Sequence, residues 1–192
     1  MLFLILAPFA TFAMLTMLTT VKISLASSAA VAFGLVSRDF AKGRSIKMLS
    51  TGALVLFAAL AGYHFLATTE LSLTTVRLAI DSGVLAIALG SMAIRLPFTI
   101  QYAREVVDDE TTRLPRFVKT NYILTWVWTA AFALMLVADI VAIYLPSTPL
   151  WACAAIAFAA RNSASYFTQW YPKHVRAAIA AGRDTAPVAT AS

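Results

Sequence analysis

Long apolar segments alternate with short charged or turn-rich breaks along the chain. Several segments carry no charge over about 15 to 20 residues, the length that a helix needs to cross a bilayer. The pattern predicts helices at 2–20, 23–37, 48–67, 76–95, 121–145 and 150–171. Because the second helix is short and the first contains Pro8, five full spans is the alternative to six. A cleavable signal peptide competes for residues 1–29, although that segment does not begin with basic residues.

Composition places these helices in lipid rather than in water. The chain has 192 residues, of which 60% are hydrophobic and 12% are charged, whereas soluble domains contain about 25% charged residues. The sequence therefore predicts an all-α integral membrane bundle, a single domain over residues 1–181. A connector at 96–120 links two of its helices, and residues 182–192 form a short polar tail.

The basic residues predict an orientation. With both termini in the cytoplasm, thirteen of the fifteen Lys and Arg residues fall on the cytoplasmic side, and only Lys22 and Arg77 fall on the other. One of the thirteen, Arg161, is better placed within the membrane. Because cytoplasmic retention of Lys and Arg is the strongest topological signal, the net charge of +6 indicates topology rather than nucleic-acid binding. Trp151 and Trp170 would mark the two interfaces, about 29 Å apart.

Five ionisable residues form a predicted polar layer in the outer half of the bundle: His64, Arg77, Asp81, Asp139 and Arg161. Buried charges usually face other helices and find partners. One interpretation is structural, with Arg77 paired to Asp81 and Asp139 paired to Arg161. In the other, Asp81 and Asp139 share Arg161 as a proton-carrying site, with His64 as a relay.

No catalytic centre, cofactor or metal site is predicted. The chain contains no paired metal motif, nucleophile elbow or phosphate loop, and its single cysteine, Cys153, excludes a multi-cysteine centre. The atoms of His64, Asp81 and Asp139 suit a metal, but their spacing matches no recognised motif.

Two helix faces carry further patterns. On the sixth helix, Asn162, Ser165 and Gln169 continue a polar stripe from Arg161, which should pack against other helices or line a cavity. On the fourth, small residues recur every four positions at Ser82, Ala86 and Gly90. Such a face allows close approach of another helix, within the chain by default or between two copies of it.

The connector contains the most distinctive stretch of the chain, PFTIQYARE at 97–105. Pro97 suits the first turn of a helix, and Phe98, Tyr102 and Val106 then recur at fourfold spacing, as expected for a helix lying at the interface. Arg104 and Glu105 should face water. The remaining candidate residues of this motif are Thr99 and Gln101. A binding surface for lipid headgroups or a partner protein is the alternative to a simple connector.

The motif resembles that of uncharacterised small bacterial membrane proteins with a PFT-x-x-YARE signature. The order of features also resembles, more distantly, the intracellular septation protein A family. The shared features are a basic segment before Lys47, a span ending near His64, a Pro-initiated connector, and Leu114 and Pro115 leading to Asn121 and Trp126. The resemblance implies a cell-envelope role exerted through partners, and it supplies no catalytic residues.

Two functions are therefore expected, and an enzyme is less favoured than either. The first is a non-enzymatic scaffold or accessory protein of the bacterial inner membrane, with the bilayer, other membrane proteins or a second copy of itself as partners. The second is a small proton-coupled transporter or channel that uses the polar layer. A cavity reaching Asp81 and Asp139 would favour transport, and a dry paired layer would favour the scaffold.

Overall fold

The computed structural model describes residues 6–45, 47–67, 71–145 and 147–184. Within these ranges the chain forms eight helices and no strand. In chain order they are α1 (Ala7–Leu15), α2 (Val21–Ala41), α3 (Met48–Leu66), α4 (Leu73–Ala93), α5 (Phe98–Ala103), α6 (Asp109–Thr112), α7 (Pro115–Tyr144) and α8 (Leu150–Asp184). The all-α prediction is confirmed for the described residues.

Local sequence explains where several helices begin and end. The side chains of Thr20 and Ser72 accept hydrogen bonds from the backbone at the starts of α2 and α4, which satisfies N–H groups that have no partner within the helix. Gly43 ends α2 with a positive φ, a conformation that glycine adopts without strain. Arg95 adopts the same conformation after α4 (φ 59°), and Tyr122 Oη donates to its carbonyl at 3.2 Å.

The helices pack largely in the order α1, α2, α3, α4, α7 and α8, with α5 lying on α7. The stripe that α3 buries contains Leu49, Ala53, Phe57 and Ala61, and the stripe that α4 buries contains Val76, Ile80, Val84 and Ala88. Both stripes follow the fourfold spacing of a helix face. They form the centre of the hydrophobic core.

Helices α3 and α4 approach closely at two glycines. A Cβ on Gly52 would lie 2.5 Å from Ile87, and one on Gly83 would lie 2.6 Å from Leu56. The predicted small-residue face at Ser82, Ala86 and Gly90 does not make this contact. Ser82 and Ala86 are exposed, and a Cβ on Gly90 would meet no atom within 4 Å. Residues 82, 86 and 90 lie on another side of α4, away from α3.

Among the described residues, four helices are long and apolar enough to cross a membrane by length and composition: α2, α3, α4 and α7. They correspond to four of the six predicted spans. The prediction of a short second span is wrong, because α2 has 21 residues. Of the first predicted span, the structure describes a nine-residue helix, and residues 1–5 lie outside the described part. The last predicted span lies in α8, whose apolar start is interrupted by Arg161 and Asn162.

The predicted domain boundary near residue 181 coincides with no helix end, since α8 extends to Asp184. Residues 185–192 of the predicted tail lie outside the described residues. The connector prediction is accurate at its start, where Pro97 immediately precedes α5. It is wrong for Val106, because α5 ends at Ala103 and Val106 does not continue its face.

Candidate functional site

Part of the polar layer predicted for the outer half is organised around an ion pair between helices α4 and α7. Arg77 Nη2 lies 3.7 Å from Asp139 Oδ1. The Arg77 side chain is 48% exposed, whereas that of Asp139 is 7% exposed. This pairing differs from both predicted arrangements, which placed Asp139 with Arg161. The physical reason is that the long Arg77 side chain reaches across to α7 rather than along its own helix.

Asp81 lies one turn further along α4 than Arg77, next to Asp139. The structure thus brings two carboxylates together beside one guanidinium. One of the predicted arrangements also placed Asp81 and Asp139 around a single arginine, although that arginine was Arg161. Asp139 Oδ2 is buried and has no hydrogen-bond partner among the described residues. Two carboxylates beside one guanidinium leave one negative charge without a counter-charge. A proton or a ligand cation that binds there would neutralise it.

Beside this centre is a cavity of about 430 Å³. The residues that give it charge are Arg77, Asp81 and Arg161. Its apolar walls come from α1, α3, α4, α7 and α8, namely Phe9, Phe12, Leu49, Ile80, Val84, Phe132, Met135, Ala154, Ala157 and Phe158, among others. The two ends of the packing order, α1 and α8, therefore face each other across it. We call this space the outer cavity.

Arg161 is the least compensated charge of the outer cavity. It lies on the cavity wall in α8 and is half-buried, yet within the described ranges no side chain forms an ion pair or hydrogen bond with it. A guanidinium at the depth of a helix bundle carries a large desolvation cost unless a partner offsets it. An anionic partner for Arg161 could reach it through the outer cavity.

His64 does not join this centre. The residue is buried in the last turn of α3, and neither ring nitrogen has a hydrogen-bond partner among the described residues. It does not contribute to the wall of the outer cavity. In the described part of the chain, no three His, Cys, Asp or Glu side chains are arranged to hold a metal ion. The predicted relay through His64 therefore has no contact to support it.

Of the predicted polar stripe on α8, Arg161 lines the outer cavity as expected, but Asn162 and Gln169 do not point inward. Asn162 and Gln169 are exposed, and they donate to the carbonyls of Phe158 and Ser165 on their own helix, at 2.7 and 3.5 Å. The face of α8 that is buried contains Ala160, Ala164 and, in part, Thr168. Side chains that bond to their own helix backbone can face outward. The face packed against α7 is instead made of small residues and Thr168, whose Oγ1 accepts a hydrogen bond from Trp128 Nε1 at 2.9 Å.

A second polar cluster holds the connector against the bundle at the opposite end. Lys47 is only 5% exposed and lies 2.6 Å from Asp39 Oδ2 and 2.9 Å from Glu105 Oε1. Its ammonium group also lies 5.4 Å from the centre of the Tyr102 ring. Two carboxylates and an aromatic face compensate this buried cation well. The prediction that Glu105 faces water is wrong, because Lys47 draws it inward. We call this arrangement the connector cluster.

Other residues of the PFTIQYARE motif extend the cluster. Gln101 Oε1 accepts a hydrogen bond from the backbone N–H of Met48 at 2.8 Å, and the Tyr102 hydroxyl lies 3.0 Å from that of Ser50. Burial raises the pKa of Tyr102 to about 12. Thr99 donates to the carbonyl of Asn121 at 2.8 Å. The motif therefore joins α5 to both α3 and α7, while Arg104 remains exposed.

Sequence reasoning missed several members of this cluster. The sequence pattern does not single out Asp39 and Lys47, because the breaks between helices normally carry charged and polar residues. Ser50 is a single hydroxyl in the first turn of a predicted apolar helix and gives no signal either. Only the fold shows that this break lies under the connector. One signal was present, since Lys47 directly precedes an apolar helix at the point where the predicted connector returns to the bundle.

Comparison with protein-family models, with curated proteins and with solved structures gives no match. The function is therefore inferred from the chemistry of the outer cavity and of the connector cluster.

Proposed function

We propose that this chain is an integral membrane protein of a bacterial inner membrane that crosses the bilayer six times, with both termini in the cytoplasm. The four long apolar helices support the membrane location, and α1 and α8 would complete the six crossings. Trp151 and Trp170 are both exposed on α8, as side chains at two membrane interfaces would be. The distribution of Lys and Arg supports the orientation, and the resemblance of the motif supports the bacterial assignment.

We further propose that the protein is a small transporter that binds an organic anion in the outer cavity. The observation that carries this proposal is Arg161, a half-buried guanidinium without a partner in the described chain, on the wall of a cavity of about 430 Å³. Ligand sites are typically about 300 to 1,000 Å³ with mostly apolar walls and a few placed polar groups. An anion with a short apolar body matches both features.

Asp81 and Asp139 supply the second element of a transporter. Acidic side chains within membrane spans are the usual proton carriers of pumps and transporters. Asp81 is on the cavity wall beside Arg77, and Asp139 is paired with Arg77. A proton bound by this carboxylate pair would weaken its attraction for Arg77. The net charge of the cavity wall near the bound anion would then become more positive. Proton-coupled uptake follows from this linkage.

The binding step is tested with the purified full chain in detergent micelles. Alkyl monocarboxylates of increasing chain length are titrated by calorimetry against wild type and Arg161→Gln. We expect the variant to bind about 30-fold more weakly, because a hydrogen bond to a charged group contributes about 2 kcal/mol. Arg38→Gln, which removes an exposed arginine at the end of α2, is the matched control. Equal affinity of wild type and Arg161→Gln would refute the site.

The coupling step is tested separately in proteoliposomes. Uptake of the best-bound carboxylate is measured with and without an imposed proton gradient. Wild type should respond to the gradient, and Asp81→Asn should lose that response while retaining binding. If both Asp81→Asn and Asp139→Asn keep the wild-type dependence on pH, the carboxylate pair carries no proton and the protein is at most a passive binder.

A scaffold or accessory role is the second candidate, favoured by the outward-facing polar stripe. Asn162 and Gln169 lie exposed on α8, and polar side chains facing acyl chains gain from contact with a partner helix. Exposed Ser82 and Ala86 offer a place for close approach on α4. Crosslinking in membranes tests self-association: Ala86→Leu or Gln169→Leu should abolish a dimer. An unchanged dimer in both variants would exclude these faces.

A further inference from the structure

A second cavity lies between the connector and the ends of α7 and α8 that pack beside it. Its volume is about 390 Å³. The apolar part of its wall includes Val106, Leu124 and Val175, and its charged part consists of Arg116 and Arg176. It is separate from the outer cavity, with which it shares no wall residue. We call it the connector cavity.

The two arginines make the connector cavity a site for an anion. Arg116 and Arg176 are exposed, and neither forms an ion pair within the described parts of the chain. Among the described residues, no acidic side chain belongs to the wall. Of the connector's acidic residues, Glu105 pairs with Lys47, and Asp108, Asp109 and Glu110 are exposed and lie outside the wall. Two guanidinium groups without carboxylates favour a phosphate, which accepts paired hydrogen bonds from each of them.

Deeper in the wall, one side-chain acceptor has no donor among the described residues, and one backbone carbonyl loses its usual helical donor. Asn121 is only 2% exposed; its Nδ2 donates to the Phe117 carbonyl, and its Oδ1 has no partner among the described residues. On the facing helix, Pro172 has no N–H with which to bond the carbonyl of Thr168, and both residues belong to the wall. A ligand with a hydroxyl group would supply the donor that these acceptors lack.

The position of the cavity indicates how the rest of the ligand is accommodated. Trp170 is on α8 just before the wall residue Pro172, and it is partly exposed, as is common at the boundary between lipid and water. The exposed arginines are the polar part of the cavity, and Val106 and Val175 give it an apolar part. A ligand with a charged head and an acyl chain fits both parts.

We propose that the connector cavity binds an anionic glycerophospholipid, with its phosphate on Arg116 and Arg176 and its headgroup hydroxyl toward Asn121 and Thr168. The lipid would fix the connector against α7 and α8 at the membrane surface. This site does not depend on the anion proposed for the outer cavity, since the two cavities have different walls. Glycerol 3-phosphate has the same phosphate chemistry without acyl chains, and the experiment separates these two sources.

Native mass spectrometry of the full chain released from nanodiscs tests the proposal. Wild type should retain phosphatidylglycerol in preference to phosphatidylcholine, and Arg116→Gln/Arg176→Gln should reduce that preference about 30-fold. This factor converts about 1 kcal/mol for each basic side chain near a membrane surface at 1.4 kcal/mol per tenfold. The matched control is Arg38→Gln/Arg113→Gln, which removes two exposed arginines from outside the wall.

A second variant separates binding in the cavity from general attraction to the surface. Ala103 belongs to the wall, and Ala103→Phe fills the space while keeping both arginines. We expect this variant to lose phosphatidylglycerol while its thermal unfolding stays close to that of wild type. Retention of the lipid by Ala103→Phe, or by the double arginine variant, would overturn the proposal. Displacement of the lipid by equimolar glycerol 3-phosphate would also overturn it, in favour of a soluble phosphate ligand.

Discussion

The connector cluster buries a cation with its partners, whereas the outer cavity borders a half-buried cation that has none among the described residues. Lys47 in the connector cluster has two carboxylates within 2.9 Å and an aromatic ring beside it. Arg161 in the outer cavity has no such partner among the described residues and borders open space instead. A buried charge that is fully compensated holds a fold together, whereas an uncompensated one beside a cavity is available to a ligand. The comparison therefore separates a structural centre from a functional one.

The largest expected effect is the loss of the cation in the connector cluster. Lys47→Met should lower the free energy of unfolding by about 3 kcal/mol, because Asp39 and Glu105 would remain buried without a counter-charge. Reversible unfolding in mixed micelles, followed by helix content, measures this change. Lys42→Met, at an exposed position nearby, should stay within about 0.5 kcal/mol of wild type. Equal stability of the two variants would mean that the cluster does not stabilise the fold.

The same substitution in the outer cavity should have the opposite sign. Arg161→Met should raise the free energy of unfolding by about 2 kcal/mol in the absence of ligand, since it removes a costly half-buried charge and breaks no pair among the described residues. The same unfolding assay applies, with Arg38→Met as the control. A destabilised Arg161→Met would show that the guanidinium is compensated, and the contrast between the two regions would disappear.

A smaller effect is expected for Tyr102, and it depends on pH. Burial raises the pKa of its hydroxyl from 10.0 to about 12, so the folded state holds this proton more tightly than the unfolded state does. The resulting stabilisation is fully present below pH 10 and is lost as the pH rises from 10 to 12. Wild type should therefore lose stability more steeply between about pH 10 and 12 than Tyr102→Phe. All other groups that titrate in this range are the same in the two proteins, so the difference reports on Tyr102. Parallel curves for the two proteins would contradict the assignment.

The smallest effect is expected for the ion pair beside the outer cavity. Asp139→Asn should change the free energy of unfolding by less than about 1 kcal/mol, because Arg77 is half exposed and can be solvated once the pair is lost. Thermal unfolding at neutral pH provides the measurement, with Asp109→Asn on the exposed α6 as the control. A loss of about 3 kcal/mol would instead show that this ion pair stabilises the fold as much as the connector cluster does.

The sequence was a good guide to features that depend on a short stretch of chain. The apolar runs predicted the all-α structure and the helices that correspond to α3, α4 and α7, and Pro97 predicted the start of α5. It was a poor guide to contacts between helices. Arg77 could be assigned to Asp81 from its spacing of four residues, yet in the structure it reaches Asp139 on α7. Spacing along one helix gives neighbours on that helix and does not exclude a partner on another.

The same reason explains the misplaced faces. Ser82 and Gly90 satisfy the spacing of a packing face, but the close approach of the two helices occurs at Gly52 on α3 and Gly83 on α4. Helical periodicity shows which residues share a face, but it does not show which face points toward the core when most faces are apolar. In a membrane, apolar side chains are favourable both on the face toward the bundle and on the face toward the acyl chains. Hydrophobicity therefore distinguishes these two faces only weakly.

The sequence by itself determined that this protein is helical and contains segments long and apolar enough to cross a membrane. Helix length and apolar composition are properties of consecutive residues. The tertiary structure alone decided that Lys47 is compensated, that Arg161 has no partner among the described residues, and that the outer cavity and the connector cavity are separate. Those facts depend on distances between residues far apart in the chain. Such distances are set by the packing of all the helices together.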